Sequence, residues 1–525
     1  EQAAADVDRF QFRRPSKRER EGDILAVQIE MHSLLCISTF LLLATSIADA
    51  VWQQGYQQQA QQVQQAQQIA FGPPHGLISL LCGFPEVQVT GAEGCGISEK
   101  DYDLAGLAIV FRHGERSPAG VLLSEYLSEQ IRNQTLAELV VDADVDAAAA
   151  QPSWRPTCSP FRHEDARSFA DLSSTIDSED FSAFVEVDAN YADRRKYPEI
   201  RQCAEEEMTA GGALQLYHLG SFLKQRYATS RLFDGEAGAP LTASVVASNY
   251  TRTFQSAIAF TAGFLFPLRD VISKLPITWS ADYFLCTRPE CVCPKAEDFR
   301  RKYALDSYFF WLNESPRPIF ARAERIFKNI SATAARHDPF EYMDIMLGRY
   351  ACRHRPLPCT FYGECVSEQL MSELTAEMSR RGQQMFYDGR GRRVMAAEAQ
   401  AILGELADQI EQLAKNASER SIKVFSGHDI TVAPILRVLG LAFLDTPPYA
   451  SRIVVEIYRP NKRYASRDLF FRLLYNGVDR TAQLPFCRGS RLCSATSLQL
   501  FARQQLFLNA GFRNVDDLCE RTQEK

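Results

Sequence analysis

An uninterrupted apolar stretch at residues 104–111 (LAGLAIVF) is followed at once by the polar segment 112–118 (RHGERSP). A strand with one face in water alternates apolar and polar residues, whereas a strand buried on both faces is apolar throughout. Two shorter stretches of the buried kind occur at 241–247 and 421–426. The sequence therefore predicts an α/β fold, a three-layer core with a mainly parallel central sheet flanked by helices.

Residues 112–118 place one histidine between two arginines. Arginine carries a planar fork of donors that matches phosphate oxygens, so Arg112 and Arg116 are suited to hold a phosphate beside His113. Gly114 has no side chain and lets the backbone approach a ligand closely. The segment predicts a phosphate-binding loop with a histidine placed to attack phosphorus.

The other two predicted strands are also followed by polar residues. Arg252 opens a stretch with helical periodicity after the second strand, and the N-terminus of a helix attracts anions. His428 and Asp429 follow the third strand and precede a predicted helix at 430–441. Because ligands of open α/β sheets bind at the carboxyl ends of the strands, we expect these residues to lie beside the phosphate loop.

The pattern R-H-G-x-R-x-P at 112–118 resembles the signature of the histidine acid phosphatases at every fixed position. The helix predicted at 209–227 is similar to the T-x-x-G-x-x-Q helix of that family, and the resemblance covers roughly residues 100–480. It implies a metal-free and cofactor-free reaction with a phosphohistidine intermediate. It further implies two catalytic residues, the nucleophile His113 and the general acid Asp429, and four residues that bind the substrate phosphate: Arg112, Arg116, Arg252 and His428.

Further residues distinguish between branches of this superfamily and between possible substrates. Glu115 gives R-H-G-E, which also occurs in the related phosphoglycerate-mutase branch, but Arg116 and Pro118 favour the acid phosphatases. The phytase branch typically has His-Ala-Glu where this chain has His428-Asp429, which argues against inositol phosphates as principal substrate. Residues 248–266 look most like the 2-phosphoxylose phosphatase group, whose substrate is a phosphorylated xylose of the proteoglycan linkage region.

Three functions are compatible with these residues. The first is a lumenal acid phosphatase that hydrolyses phosphate monoesters, with 2-phosphoxylose in glycosaminoglycan biosynthesis as the implied substrate. The second is a general lysosomal or secreted acid phosphatase, or a phosphotransferase. The third is a non-catalytic protein that binds a phosphate ligand. The formal net charge of −7 gives no basic footprint, so nucleic acid is not an expected partner. The oligomeric state is left open.

The N-terminal residues 1–72 predict that the protein enters the secretory pathway. Residues 1–30 are a basic tail or a non-native upstream extension, and 31–50 are either a cleaved signal peptide or a signal anchor. Residues 51–72 are rich in glutamine and predict a flexible stem before the phosphatase domain at 73–525. An uncleaved anchor makes the protein a single-pass type II membrane protein of the Golgi, whereas a cleaved signal makes it secreted or lysosomal.

The cysteines of the chain predict disulfide bonds. The chain has 14 cysteines without two C-x-x-C pairs, which favours disulfides in an oxidising compartment over a zinc ribbon. Local disulfides are expected within three clusters: Cys286, Cys291 and Cys293; Cys352, Cys359 and Cys365; Cys487 and Cys493.

We expect an irregular insertion with little core at 133–198 and a mostly helical cap at roughly 267–416. The sequon at Asn249 is expected to be unused, because a glycan there would crowd the site.

Overall fold

A computed structural model describes residues 76–84, 89–118, 163–200, 206–230, 232–233, 241–280, 293, 295, 299, 318–327, 339–360, 363–387, 389–441, 446–461 and 468–519. Contacts divide the chain into Glu1–Gln68 and a larger unit, Ile69–Lys525, to which all described residues belong. The predicted tail, signal segment and stem lie outside the described residues. Among the helices that are described, none has the length and apolar character needed to cross a bilayer.

The core is a mixed, mostly parallel sheet. The described strands are β1 Tyr102–Arg112, β2 Val185–Val187, β3 Leu241–Ala247, β4 Leu275–Trp279, β5 Arg420–Gly427, β6 Arg452–Pro460, β7 Phe470–Tyr475, β8 Val478–Asp479 and β9 Cys493–Ser494. Their order in the sheet is β2-β4-β3-β5-β1-β6-β7-β8, and β9 also pairs with β7. Strands β2, β4, β3, β5 and β1 run parallel, and the remaining pairs are antiparallel.

Helices cover both faces of the sheet. Successive residues of β1, such as Leu107 and Ala108, are both buried, because one faces each helical layer. The described helices are α1 Leu77–Leu81, α2 His163–Asp177, α3 Glu179–Phe184, α4 Ala210–Tyr227, α5 Thr251–Phe264, α6 Pro318–Phe327, α7 Pro339–Ile345, α8 Glu368–Tyr387, α9 Arg390–Lys415, α10 Asp429–Val438, α11 Ala495–Leu500, α12 Leu506–Ala510 and α13 Val515–Cys519. The predicted three-layer α/β fold is confirmed.

Helices α2, α4 and α5 lie on one face, and α9 and α10 contact β1 and β5. On α9, the buried Gln409 side chain donates to the Leu107 and Ser421 carbonyl oxygens at 3.1 and 3.2 Å, which ties the helix to the two central strands. Helix α9 is therefore a core helix, although it falls within the predicted cap.

Two further expectations about insertions were wrong. Within 133–198, helices α2 and α3 and strand β2 contribute buried side chains such as Leu172, Phe181 and Val185 to the main core. Acidic surface residues between these apolar positions hid the helical pattern. Strand β4 pairs in parallel with β3, so residues 275–279 belong to the sheet and the inserted segment begins after them, not at 267.

A second hydrophobic cluster forms the described part of the cap. It contains apolar residues of α6, α7 and α8, such as Phe320, Met343 and Leu374, together with Leu81 of α1 and Tyr449. Helix α7 continues into a π-helical turn, Met346–Tyr350, and a 3-10 turn, Ala351–Arg353. The cap therefore packs against the loops at one end of the sheet.

The disulfides are only partly local. Cys359–Cys365 and Cys487–Cys493 each span six residues, as expected. Cys82–Cys352 and Cys293–Cys519 join cysteines 270 and 226 residues apart, so the expectation of local disulfides was wrong for Cys293 and Cys352. Sequence spacing cannot reveal such pairs, because the fold brings the partners together. Within the described segments Cys95 is a free, exposed cysteine.

Candidate active site

The register of the sheet brings the predicted histidines together. Arg112, the last residue of β1, pairs with Gly427 at the end of β5. The His113 N–H donates to the Gly427 carbonyl oxygen at 2.9 Å, and the centroids of the His113 and His428 rings lie 5.5 Å apart. Both histidines follow parallel neighbouring strands, so the carboxyl edge of the sheet sets their separation.

His113 is buried and held through one ring nitrogen. Its Nδ1 lies 2.8 Å from the carbonyl oxygen of Gly114. Since a carbonyl oxygen only accepts, Nδ1 carries the ring proton and Nε2 keeps its lone pair. The Gly114 N–H in turn donates to Ser256 Oγ at 3.2 Å, which fixes this backbone. The nucleophilic atom that His113 offers is therefore Nε2.

Arg112 is anchored on three sides. Its Nη1 donates to the Pro447 carbonyl oxygen at 2.6 Å, and its Nη2 lies 3.5 Å from Asp429 Oδ2. The guanidinium also stacks 4.2 Å from the centroid of the Tyr449 ring. These contacts fix the side chain before any ligand binds.

The other two predicted arginines each pair with a carboxylate. Asp344 accepts from Arg116 Nη2 at 2.9 Å and from Arg116 Nη1 at 3.1 Å. Glu206 accepts from Arg252 Nη1 at 2.9 Å. Asp344 lies on α7 of the cap, so the cap orients one of the arginines of the phosphate loop.

Three donors of the site have no acceptor in the part of the chain that the structure describes. The Nε atoms of Arg112, Arg116 and Arg252 are all buried, and none has a hydrogen-bond partner there. Buried polar groups are normally paired, and each unpaired one costs free energy. A ligand with several anionic oxygens, such as a phosphoryl group, would satisfy all three donors.

His428 is held by a chain of hydroxyl groups. Its Nε2 lies 2.8 Å from Ser248 Oγ, which lies 2.8 Å from Thr253 Oγ1. Thr253 in turn faces the carbonyl oxygens of Ser248 and Tyr250 at 3.0 and 2.8 Å. Burial and the charge of Arg252 lower the pKa of His428 to about 3, so the ring is neutral at ordinary pH.

The electrostatics also keep His113 neutral. Burial and the charges of Arg252 and Arg112 hold its pKa well below the usual value of 6.5. Burial disfavours the protonated ring because it removes water, and the neighbouring positive charges repel a further one. The lone pair on Nε2 is therefore available under acidic conditions.

Asp429 begins α10 beside the two histidines, and one third of its side chain is exposed. Partial burial would raise its pKa, but the charge of Arg112 and the Ile430 N–H outweigh that effect and hold the pKa below the usual range. In the unliganded site Asp429 is thus a carboxylate. A bound phosphoryl group would compete with it for Arg112 and so raise its pKa.

Helix α4 supports the phosphate loop through its T-x-x-G-x-x-Q residues. Thr209 caps the helix by accepting from the Gly212 N–H at 3.0 Å. Gln215 accepts from the Glu115 N–H at 2.9 Å and donates to the Cys82 carbonyl oxygen at 2.7 Å. Thr209 therefore caps the helix, and Gln215 binds the backbone of the phosphate loop. Gly212, between them, has no side chain and lets the helix approach the loop closely.

Glu115 links the loop to the cap from behind. Its buried carboxylate lies 3.5 Å from Arg353 and accepts from Thr209 Oγ1 at 3.2 Å. Burial raises its pKa, against the opposing charge of Arg353. These contacts with Thr209 and Arg353 are those of a residue that supports the loop.

The six predicted site residues thus lie in one place, and three neighbours were not predicted. Ser248 directly follows a central strand, as His113 and His428 do, and that position was a usable signal. Asp344 and Glu206 reach the site from the cap and from a loop, and no local pattern marks them. His163, which follows an arginine as His113 does, begins α2, and a second His-Asp sequence at 337–338 lies outside the described residues. The described segments contain no cluster of three or more His, Cys, Asp or Glu residues arranged to hold a metal ion.

Comparison with known proteins places this geometry in a family. The family model described as histidine phosphatase superfamily (branch 2) matches residues 103–476. Human 2-phosphoxylose phosphatase 1 is 23% identical over 463 residues, which cover 84% of this chain and 86% of that protein. The Danio rerio protein of the same name is 24% identical over 478 residues, with the same coverage.

Among solved structures, the multiple inositol polyphosphate phosphatase of Bifidobacterium longum in complex with inositol hexasulfate is 13% identical, with a TM-score of 0.48, and covers 78% of this chain and 94% of that one. The family match spans most of the described sheet and all six predicted site residues. The chain is therefore a phosphomonoesterase of the histidine acid phosphatase type and belongs to the histidine phosphatase superfamily, branch 2.

Proposed function

We propose that the chain hydrolyses phosphate monoesters in two displacements through a phosphohistidine at His113. The observation that carries this proposal is a set of three buried arginine Nε atoms, of Arg112, Arg116 and Arg252, that have no partner among the described residues. Their charges act on His113, whose Nδ1 contact leaves the lone pair on Nε2. Such an arrangement binds a phosphoryl group and presents a nucleophile to it.

In the first displacement the Nε2 lone pair of His113 attacks phosphorus, and the bond from phosphorus to the ester oxygen breaks. Asp429, whose pKa rises as the phosphoryl group engages Arg112, gives its proton to the leaving oxygen, and the alcohol departs. In the second displacement Asp429 takes a proton from water as the water oxygen attacks phosphorus. The bond between phosphorus and Nε2 then breaks, which restores His113 and releases phosphate.

The remaining site residues stabilise the transferring group. The three arginines would compensate its charge, which is the main demand in phosphoryl transfer. His428 is neutral, and its Nε2 is engaged with Ser248, so we assign its hydrogen bond to the phosphoryl group to Nδ1. Substrate binding would thereby favour the Nδ1–H form of this ring.

We further propose a phosphorylated xylose of the proteoglycan linkage region as the physiological substrate. Two relatives named 2-phosphoxylose phosphatase 1, each covering 84% of the chain, support this choice. Four disulfides among the described residues suggest the secretory pathway. A type II Golgi membrane protein, anchored through 31–50, is the matching location, and a secreted or lysosomal acid phosphatase is the alternative.

Two assays test the proposal. Hydrolysis of p-nitrophenyl phosphate should proceed with a chelator present and be strongest at acidic pH. A linkage oligosaccharide with phosphorylated xylose should then be cleaved with a higher kcat/KM than simple sugar phosphates. Free phosphate as product supports hydrolysis, whereas phosphate found on an added alcohol indicates a phosphotransferase. Inactivity on every monoester would contradict the enzyme function and favour a binding protein.

A further inference from the structure

Glu206 lies at the mouth of the candidate site in an unusual backbone conformation. Its φ is +60°, in the left-handed region that a residue with a side chain seldom adopts. Such strain persists where the surroundings enforce it, and it is concentrated at functional sites. The left-handed conformation of Glu206 therefore indicates that this residue has a function at the site.

The surroundings that enforce it are the phosphate loop itself. The chain after Glu206 runs antiparallel to the end of the loop, with a bridge between Met208 and Arg116. The Ser117 N–H donates to the Glu207 carbonyl oxygen at 2.9 Å, and the Glu206 N–H lies 3.4 Å from the Pro118 carbonyl oxygen. Glu206 is thus fixed beside the site by the same backbone that places Arg116.

The Glu206 carboxylate covers one of the three arginines. It accepts from Arg252 Nη1, and 42% of its side chain is exposed, against 12% for Arg252. The carboxylate is therefore more exposed to solvent than the guanidinium with which it pairs.

The charges of the site are balanced in pairs. Arg252 pairs with Glu206, Arg116 with Asp344, and Arg112 lies 3.5 Å from Asp429. Each of these arginines also keeps a buried Nε donor that has no hydrogen-bond partner among the described residues. The three arginines can thus receive one phosphoryl group, but a second anionic group beside it would meet the carboxylate of Glu206.

We propose that Glu206 determines specificity by selecting esters with a single phosphate on an otherwise uncharged alcohol, such as a sugar monophosphate. Substrates with a second phosphate next to the reacting one are disfavoured by repulsion from this carboxylate. The inference rests on the proposed function, because it requires that the arginines bind the reacting phosphate.

The test compares myo-inositol 4-phosphate with myo-inositol 4,5-bisphosphate as competitors of p-nitrophenyl phosphate hydrolysis. Competition yields a constant for each compound whether or not it is turned over. Glu206→Gln keeps the shape and an acceptor for Arg252 but removes the charge. We expect the variant to bind the bisphosphate about tenfold more tightly, relative to the monophosphate, than the wild type does.

The matched control is Glu186→Gln on the edge strand β2, which removes another exposed carboxylate that is paired with a cation, Lys274. This control should leave the ratio of the two competition constants unchanged. An equal ratio in the wild type and Glu206→Gln would overturn the inference, as would an equal rise in the control.

Salt dependence provides a second measurement on the wild type alone, should Glu206→Gln fail to fold. Added salt screens an exposed charge, so it should weaken the discrimination against the bisphosphate. A bisphosphate that instead loses more affinity with salt than the monophosphate would show attraction and overturn the inference. Wild-type protein that does not hydrolyse p-nitrophenyl phosphate would contradict the proposed function itself. Failure of the proposed function is therefore distinguishable from failure of the inference about Glu206.

Discussion

At the scale of single residues, the site combines a neutral nucleophile with a concentrated positive charge. The contact between Nδ1 of His113 and the Gly114 carbonyl oxygen selects the tautomer with Nε2 unprotonated. The same charges that would hold a phosphoryl group lower the pKa of His113 and keep Nε2 unprotonated in acid. The positive charges of the arginines therefore serve both to bind the phosphoryl group and to keep His113 nucleophilic.

The first prediction concerns the titration of the two histidines. A lowered pKa means that the neutral ring persists as the pH falls below about 6.5, the value for a free histidine. In protein with isotope-labelled histidine, the ring resonances that disappear in His113→Asn and His428→Asn should stay at neutral-imidazole positions as the pH falls through 6.5. A midpoint near 6.5 for either ring would contradict the electrostatics of the site.

The second prediction concerns Asp429 as the general acid. Asp429→Asn keeps the size of the side chain but cannot deliver the proton, so hydrolysis of an alkyl phosphate should fall about 10²- to 10⁴-fold. p-Nitrophenyl phosphate should be affected much less, because p-nitrophenolate leaves without protonation. Steady-state kinetics on both substrates decide this, and an equal loss on both would assign Asp429 to phosphate binding or structure instead.

At the scale of elements, catalysis depends on how closely helix α4 approaches the phosphate loop. A Cβ atom on Gly212 would lie 2.2 Å from the Glu115 carbonyl oxygen, and one on Gly114 would lie 2.1 Å from the Gly212 carbonyl oxygen. The two backbones thus touch without side chains between them. Gln215 can bind the Glu115 N–H only because of this approach.

The third prediction follows from that contact. Gly212→Ala should push the loop away from the helix and lower kcat/KM about 100-fold, since small displacements of catalytic groups are costly. Gly404→Ala on α9 is the control, because a Cβ there meets nothing within 4 Å. It should leave activity unchanged and stabilise the helix by about 0.5–1 kcal/mol. Wild-type activity in Gly212→Ala would show that the loop tolerates displacement.

Much of this arrangement could be predicted from the sequence, because the phosphate loop, Arg252 and the His428-Asp429 pair each follow a buried strand directly. Parallel pairing then forces the strand ends together. Glu206 and Asp344 could not be predicted, since their places depend on contacts between distant segments. Strands β2 and β4 were missed because each is short and lies among segments with no clear periodicity.

At the scale of the whole molecule, the structure joins two hydrophobic clusters around the site. The sheet and its helices form the first, and α1 with the cap helices forms the second. The Cys82–Cys352 disulfide ties α1 to the turn that carries Arg353, the partner of Glu115. The disulfide thus joins two parts of the second cluster, and the buried ion pair joins that cluster to the phosphate loop.

The fourth prediction compares a long-range with a local disulfide. Removing Cys82–Cys352 by a double Ala substitution should lower the free energy of unfolding by about 3 kcal/mol more than removing Cys487–Cys493, because the longer loop restricts the unfolded chain more. Denaturant unfolding of both variants tests this. An equal loss in the two variants would show that chain entropy does not set the contribution of these disulfides.

The central claim is that phosphate passes through His113, and trapping the intermediate tests it most directly. The enzyme is mixed with a radiolabelled phosphate monoester, quenched in alkaline denaturant, where phosphohistidine survives, and mapped by mass spectrometry. We predict phosphate on His113, formed at least as fast as turnover, and no labelled protein in His113→Ala, whose kcat should fall at least about 10³-fold. Unlabelled wild-type enzyme during turnover, or His113→Ala acting at the wild-type rate, would contradict the mechanism.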